Sequence, residues 1–294
     1  MPSLVSVVIP SYNHGRFIAR ALRCLLEQSY SHWEAIVVDN HSTDDTSSVL
    51  EQFADPRIRV EKIDNQGVIA ASRNRGIRAA RGEWVAFLDS DDWWTSNKLE
   101  RCLKDESRAD FIYHGMRIVR DGNALPSRDT IRSRALQQPV WLDLLLDGNP
   151  IANSSVLVRR ALLERIHFLR EDRDMIAAED FNAWIRIARL TDRFTYLPDE
   201  LGFYLEHGSS MSQRDMSGVH AMATAEFVAD MTLSQRRRRD AQIAYIHGRY
   251  CFLSRDDARA REALRLSLLH GSWALRVKSA YMLLRLIAPF GVAA

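Results

Sequence analysis

Apolar runs and polar interruptions alternate through the first third of the chain. The runs at residues 4–9, 34–38 and 57–63 contain Val and Ile and end in polar or turn-forming residues, which predicts three short strands. Between them, apolar residues recur at helical spacing over residues 17–26 and 68–80. Because strands alternate with helices, we expect right-handed βαβ crossovers and a mainly parallel sheet.

The next apolar run leads directly into a cluster of carboxylates. Residues 84–94 read WVAFLDSDDWW, so five apolar residues are followed at once by Asp89, Asp91 and Asp92. A short continuous apolar run is typical of a strand buried on both faces, and the carboxyl end of such a strand is where open α/β sheets bind ligands. An oxygen-only cluster favours Mg²⁺ or Mn²⁺ over zinc. The alternative is a solvated acidic turn.

Beyond residue 95 the alternation weakens and the predicted elements become irregular. We expect helices at 99–103, 140–146 and 181–190, strands at 110–119 and 154–158, two short strands around Pro198 within 196–206, and loops that order on ligand binding at 121–139 and 208–218. After residue 220 the pattern is helical to the end. This organisation predicts a domain at 1–215, with halves 1–95 and 96–215, and a helical extension at 216–294.

Composition and charge narrow the class of protein. The 294 residues carry 40 Lys and Arg against 38 Asp and Glu, and three Cys without paired spacing. We therefore expect a reducing compartment, without disulfides or a thiolate metal site. The chain begins with a predicted strand rather than a leader, and it contains no run of about 18 apolar residues. We expect a cytoplasmic protein.

Five segments together resemble the inverting nucleotide-sugar glycosyltransferases of family 2. They are VSVVIPSYN at 5–13, IVVDN at 36–40, ASRNRG at 71–76, FLDSDD at 87–92 and AAEDFNAWIRI at 177–187. The resemblance spans roughly residues 3–215. It implies an α/β fold of the GT-A type, Rossmann-like, with a mainly parallel central sheet flanked by helices.

The resemblance assigns several residues to the nucleotide-sugar donor. Asp39 matches the family's base-binding Asp, and its carboxylate can accept a hydrogen bond from the imide N–H of uracil; its other role would be a cap or turn. Pro10, Tyr12 and Asn13 match the residues that hold the nucleoside. Arg73 is expected to direct its guanidinium toward an anionic ligand.

The resemblance also assigns the metal. Asp91 is expected to bind Mn²⁺ or Mg²⁺, and Asp89 to contact the ribose or join the metal shell. Asp92 either caps the next helix or joins that shell. His207 matches a loop that closes over the donor and is a further candidate metal ligand. Leu205 departs from the basic residue that many relatives have there, which leaves His207 equally open to a surface-loop role.

Asp180 is the expected general base. Inverting transfer needs one carboxylate to take the proton of the acceptor hydroxyl, whereas the diphosphate leaves without protonation. Asp180 precedes an amphipathic helix, so its alternative role is a helix N-cap. Glu179 is a candidate acceptor contact. Trp93 and Trp94 offer either a sugar platform or core packing, and His14, His32 and His41 receive no role.

The C-terminal third is basic. Arg236–Arg239 form an unbroken run, and apolar residues mix with Arg276, Lys278 and Arg285 up to Pro289. This pattern fits a basic amphipathic helix on an anionic membrane surface, and equally a helix packed on the catalytic domain. The first case would place the protein peripherally on the inner face of the cytoplasmic membrane. Nucleic acid is disfavoured because no reading module or aromatic interleaving is present.

These features predict a metal-dependent, inverting transfer of a hexose. The expected donor is a UDP-sugar, with GDP and dTDP donors known in the same family, and the expected acceptor is a hydroxyl of a glycan or lipid-linked glycan in bacterial cell-surface polysaccharide synthesis. A nucleotidyltransferase or a dehydrogenase would need a Gly-rich loop after a strand, which the sequence lacks. The non-enzymatic alternative is an inactive nucleotide-binding scaffold. The oligomeric state, the sugar and the linkage stay open.

Overall fold

A computed structural model describes residues 2–104, 106–121, 129–131, 133–208 and 214–287. The strands are β1 (Val5–Ser11), β2 (Trp33–Asp39), β3 (Ile58–Lys62), β4 (Trp84–Phe87), β5 (Trp93–Trp94), β6 (Phe111–Arg120), β7 (Thr130–Ile131), β8 (Leu157–Arg159) and β9 (Phe194–Glu206). The helices are α1 (Gly15–Leu26), α2 (Thr46–Leu50), α3 (Ile69–Ala79), α4 (Lys98–Leu103), α5 (Val140–Asp147), α6 (Arg160–Arg165), α7 (Glu179–Ala188), α8 (Ser217–Ala225), α9 (Leu233–Leu253), α10 (Asp257–His270) and α11 (Trp273–Ile287). Short 3₁₀ turns lie at Asn153–Ser155, Arg173–Met175 and Val228–Asp230.

The strands form one mixed sheet in the order β3-β2-β1-β4-β8-β6-β9-β5, with β7 paired to β6. Strands β1 to β4 pair in parallel. Strand β8 is antiparallel to both β4 and β6, so β6 points the same way as β4, and β9 pairs with β6 in parallel. The carboxyl ends of β1, β2, β3, β4, β6 and β9 therefore lie along one edge of the sheet, called here the carboxyl edge.

The central strands are apolar throughout because both faces of the sheet are covered. Alternate residues of β1, β2 and β4 share a buried cluster with Ile18, Leu22 and Leu25 of α1. On the other face α3 approaches so closely that a Cβ on Gly76 would lie 2.5 Å from Cγ1 of Val8. This double coverage explains the uninterrupted Val and Ile runs, and it confirms the predicted α/β fold with a mainly parallel sheet.

The segment around Pro198 is one strand, so the predicted pair of short strands is wrong. Strand β9 continues past Pro198 because its pairing with β6 shifts: His114 pairs with Leu197, but Gly115 pairs with Glu200. The two extra residues bulge out of the ladder, where a proline without an N–H is tolerated. The predicted loops 121–139 and 208–218 include residues 122–128, 132 and 209–213, which lie outside the described residues.

The chain divides into two compact units. Unit 1 comprises residues 1–141 and 150–209, and unit 2 comprises 142–149 and 210–294, in each case as far as the structure describes them. In unit 2, helices α9 to α11 pack around Cys251, Ala260 and Leu264. None of the helices in the described ranges is both long enough and apolar enough to cross a bilayer. The predicted functional halves and the boundary at 215 stay predictions.

Candidate active site

The loop that follows β4, residues 89–92, is called here the acidic loop, and its three carboxylates lie in three different environments. Asp92 is buried, and its Oδ1 accepts the backbone N–H of Leu205 at 3.1 Å. Burial, together with the charges of Asp91 and Asp89, raises the pKa of Asp92 well above its ordinary value. Because α4 begins after Asn97, Asp92 does not cap that helix. Asp92 instead ties the acidic loop to strand β9.

Asp91 meets His207 across 116 residues of sequence. Nε2 of His207 lies 2.9 Å from Oδ2 of Asp91, and the His207 side chain is buried while Asp91 is half-buried. The topology explains this meeting, because β4 and β9 both end at the carboxyl edge. Leu205, which departs from the family pattern, is buried and occupies the β9 position bonded to Asp92.

His14 joins this cluster, although the sequence pattern predicted no role for it. Its Nδ1 lies 2.7 Å from Oγ of Ser90, and its ring centroid lies 6.4 Å from that of His207. Burial lowers the pKa of His14, although the Asp91 carboxylate opposes the shift. In the sequence, only its position directly after Tyr12 and Asn13 pointed to a role for His14. No metal-ligand spacing linked it to another His.

Asp91 and His207 are suited to a divalent cation that takes its remaining ligands from a substrate. The described part of the chain holds no group of three or more His, Cys, Asp or Glu side chains arranged around one point. Mg²⁺ is usually held by one or two carboxylates together with substrate phosphates rather than by a closed protein cage. The Asp91 carboxylate fits that pattern for Mg²⁺ or Mn²⁺, and the His207 imidazole lies beside it.

Arg73 joins the acidic loop to α7. Its Nη2 donates to Oδ1 of Asp89 at 2.7 Å, and its Nη1 donates to Oε1 of Glu179. Asn153 also donates to Oδ1 of Asp89, at 3.0 Å. Burial alone would lower the pKa of Arg73, but the carboxylates of Asp89 and Glu179 outweigh it and raise that pKa above its usual value. The guanidinium is thus already paired with two anions.

Asp180 lies in the first turn of α7, directly after Glu179. The N-cap of this helix is Ala178, so the alternative in which Asp180 is the cap is wrong. Oδ1 of Asp180 accepts the N–H of Phe181 at 2.6 Å, and the residue is half-buried. Burial and the neighbouring Glu179 raise the pKa of Asp180 to about 7, with Arg73 opposing the rise. A carboxyl group that titrates near neutral pH is suited to general-base chemistry.

Asp39 ends β2 at the carboxyl edge and is fully buried. Its Oδ2 accepts from Nζ of Lys62 at 2.6 Å and from the N–H of Ser42 at 3.2 Å, and its Oδ1 accepts from the Ser42 hydroxyl. A carboxylate has about four lone-pair positions. These bonds use three of them and leave one on Oδ1 for a further donor.

The residues that follow β1 lie beside Asp39. Asn13 has a left-handed backbone with φ of 52°. Its N–H donates to Ser42 Oγ at 2.9 Å, and its Oδ1 accepts from the N–H of Thr43 at 2.8 Å. Tyr12 is 53% exposed, and Pro10 is buried in β1. This arrangement brings an exposed aromatic ring to the segment that covers Asp39.

The two Trp residues after the acidic loop are packing residues. Trp94 is buried, and its Nε1 donates to the carbonyl of Ser154 at 2.7 Å. The Trp93 ring stacks on Phe203 at 5.1 Å between centroids, and the guanidinium carbon of Arg20 lies 3.5 Å from the Trp93 ring centroid. These contacts favour core packing over the predicted alternative of a sugar platform.

Comparison with known families gives one matching family model, described as Glycosyl transferase family 2, over residues 6–166. Among curated proteins, TuaG of Bacillus subtilis, named for teichuronic acid biosynthesis, is 45% identical over 103 residues, which are 34% of this chain and 41% of TuaG. The Escherichia coli UDP-Glc:α-D-GlcNAc-diphosphoundecaprenol β-1,3-glucosyltransferase WfgD is 29% identical over 188 residues, 63% of this chain and 70% of WfgD.

Two solved structures share the fold. Staphylococcus aureus TarS 1–349 in complex with UDP-GlcNAc aligns with a TM-score of 0.65 at 21% identity, over 97% of this chain and 90% of that chain. The mannosyltransferase PcManGT of Pyrobaculum calidifontis, in complex with GDP-Man and Mn²⁺, aligns with a TM-score of 0.63 at 19% identity, over 98% and 82% of the two chains. Their likeness confirms the predicted GT-A fold.

Proposed function

This chain belongs to glycosyl transferase family 2, and we propose that it transfers a hexose from a UDP-sugar to a hydroxyl of a lipid-linked glycan, with inversion at the anomeric carbon. The observation that carries the proposal is the meeting of Asp91 with His207 at the carboxyl edge. The donor and acceptor classes are those in the name of the Escherichia coli relative, and the Staphylococcus aureus neighbour is a complex with UDP-GlcNAc.

Asp39, Asn13 and Tyr12 form the proposed uridine site. The free lone pair on Oδ1 of Asp39 accepts the imide N–H of uracil, and the exposed Tyr12 ring stacks on the base. Ser42 covers Asp39, so the segment that Asn13 holds has to shift when the base enters. Lys62 balances the charge of the buried carboxylate before and after binding.

Asp91 and His207 are the proposed ligands of a Mn²⁺ or Mg²⁺ ion, with Asp89 beside them. When bound, such an ion neutralises the charge that develops on the departing UDP. The Pyrobaculum calidifontis neighbour is a complex with Mn²⁺. Arg73 is already paired with Asp89 and Glu179, so we propose that it fixes the acidic loop against α7 rather than meeting the diphosphate alone.

Asp180 is the proposed general base. It takes the proton of the acceptor hydroxyl while that oxygen attacks the anomeric carbon from the face opposite the diphosphate. A pKa of about 7 keeps a large fraction of the group ionised at neutral pH and leaves it basic enough to accept a proton. The Arg73–Glu179 pair holds the first turn of α7 and therefore the Asp180 backbone.

The test is sugar transfer to a GlcNAc-diphospholipid acceptor with a panel of UDP-, GDP- and dTDP-hexoses. We expect one UDP-hexose to react and the product to carry the inverted anomer by NMR. Asp180→Asn should lower kcat by about 10²–10⁴-fold while UDP affinity is kept. Asp174→Asn, an exposed carboxylate six residues earlier, is the matched control and should retain activity.

Each contrary outcome overturns a separate part of the proposal. Reaction with GDP- or dTDP-hexoses alone would contradict the uridine site, and a retained anomer would contradict the single-base mechanism. UDP binding without sugar transfer from any donor in the panel would favour the scaffold alternative.

A further inference from the structure

Exposed apolar side chains are concentrated in unit 2. Of the fifteen large hydrophobic side chains exposed in the described part of the chain, eleven belong to unit 2. Five of these lie on α11: Trp273, Val277, Tyr281, Leu284 and Ile287, with exposures from 50% to 80%. Contiguous exposed apolar surface of this kind marks an interaction site more often than scattered single residues do.

The five residues form one stripe along α11, called here the outer stripe. At about 100° per residue they fall within an arc of about 120° on the helix. The opposite side of α11 is already used, because Leu275 is buried and Met282, Leu283 and Leu286 pack on the core of unit 2. The outer stripe is therefore a second apolar face and is not needed to hold α11 on its own unit.

The surroundings of the outer stripe are cationic. Residues 263–287 contain Arg265, Arg276, Lys278 and Arg285 but no Asp or Glu. Beside the start of α11 lies a groove of about 560 Å³ whose lining includes Arg237, Arg238, His270, Trp273 and Arg276. Trp273 belongs to both the groove and the outer stripe, so the basic and apolar surfaces are continuous.

The position of one of these charges is fixed by the backbone. Arg276 donates from Nε to the carbonyl of Gly271 at 2.9 Å and from Nη2 to the carbonyl of Leu269 at 3.0 Å. These bonds hold the guanidinium at the groove and still leave the side chain exposed. A fixed cation next to an exposed Trp is suited to the boundary between lipid phosphates and acyl chains.

We propose that the outer stripe of α11 docks on an anionic lipid bilayer, with Trp273 and Tyr281 at head-group depth and lipid phosphates in the adjoining groove. The charge argues for lipid over a second copy of this chain, because two such faces would bring like charges together. The inference deepens the proposed function, on which it rests for the lipid-linked acceptor.

Vesicle flotation of the full chain tests this directly. We expect binding to vesicles of phosphatidylethanolamine with phosphatidylglycerol, and much weaker binding to phosphatidylcholine vesicles. The double variant Trp273→Ser, Leu284→Ser should lose about tenfold or more in partition coefficient, because it removes two large apolar side chains from the lipid contact. Lys278→Gln should lose about fivefold on the anionic vesicles.

The matched control removes two exposed leucines from unit 1, as Leu26→Ser with Leu190→Ser, and should bind vesicles like the wild type. Thermal unfolding checks that every variant is folded. Absence of flotation, or equal binding to both vesicle types, would overturn the proposal. So would a wild-type dimer in sedimentation velocity that the outer-stripe variant dissociates, since a second copy would then cover the stripe.

UDP titration separates this proposal from the proposed function. A double variant that binds UDP like the wild type but no longer floats supports membrane docking. A wild type that floats but transfers no sugar would overturn the proposed transferase and leave the docking intact.

Discussion

Arg73→Met removes the guanidinium that joins Asp89 of the acidic loop to Glu179 of α7. The side chains of Arg73 and Glu179 are only 6% and 4% exposed, and that of Asp89 is 28% exposed. The variant keeps an unbranched chain of similar length, so its main effect is to leave two carboxylates without their cation. We expect a large loss of stability in unit 1.

The magnitude follows from the burial of each partner. Breaking a buried ion pair by removing one member costs about 3–5 kcal/mol. This range applies to the Arg73–Glu179 pair because both side chains are almost fully buried. The Arg73–Asp89 pair is partly solvated, so we assign it at most about 1 kcal/mol. Together the two pairs give an expected decrease of about 3–6 kcal/mol in the free energy of unfolding.

Urea unfolding followed by Trp fluorescence is the assay, because six of the seven Trp residues lie in unit 1. Arg75→Met is the matched control: it lies on the same helix, its side chain is 56% exposed, and its ion pair with Glu61 is at the surface. The control should change stability by less than about 1 kcal/mol. If Arg73→Met unfolds like Arg75→Met, the Asp89–Arg73–Glu179 bridge does not hold the site together.

Three further predictions follow from single groups. Asp180, with its pKa of about 7, must be ionised to act as a base, so kcat/KM should rise with pH through about 7 and fall about tenfold per unit below about 6; a flat profile from pH 5 to 8 would exclude it. Lys98 is fully buried, and burial lowers its pKa to about 8. Because the unfolded state then binds more protons than the folded state, the wild type should gain stability between about pH 8 and 10.5. Lys98→Met should lack that gain and should be at least as stable as the wild type at pH 7.5 by thermal unfolding. A Cβ on Gly82 would lie 2.5 Å from the carbonyl oxygen of Leu4, so Gly82→Ala should lose about 1–3 kcal/mol in urea unfolding, against less than about 0.5 kcal/mol for Gly218→Ala, where a Cβ meets nothing within 4 Å.

The stability effect of Asp180 has the opposite sign to its effect on activity. Its folded pKa lies above the ordinary value of 3.8, so the folded state binds the proton more tightly than the unfolded state does. This contribution to stability is fully present below about pH 4 and is lost as the pH rises through about 7. Comparing Asp180→Asn with the wild type by urea unfolding at both ends of that range checks the sign.

Local patterns of apolar residues were sufficient to predict the strands in the parallel half of the sheet. Strands β1, β2 and β4 are buried on both faces, and such strands leave an uninterrupted apolar run that can be recognised without knowing the partners. Strand β9 could not be predicted as one strand, because the shift that accommodates Pro198 depends on its pairing with Gly115 in β6. Register of that kind is a property of two strands and is absent from either one alone.

The candidate site could be predicted from the sequence only in part, for the same reason. Asp91 and Asp180 stood in local motifs, but the pairing of Asp91 with His207 depends on β9 returning to the sheet in parallel with β6. The burial of Arg73 could not be predicted either: its expected contact with an anionic ligand stays a prediction, and the structure adds its ion pairs with Asp89 and Glu179. Charged side chains are expected at the surface, and a buried one such as Arg73 is recognised only when the tertiary packing is known.

The measurement that tests the central claim most directly is calorimetric titration with UDP, in the presence of Mn²⁺ and in the presence of a chelator. We predict that wild-type protein and the exposed-carboxylate control Asp174→Ala bind UDP with Mn²⁺ and lose most of that affinity with chelator. Asp91→Ala should bind weakly in both conditions. UDP binding that is the same with Mn²⁺, with chelator and in Asp91→Ala would contradict the metal site, and a folded wild type that binds no UDP in either condition would contradict the transferase itself.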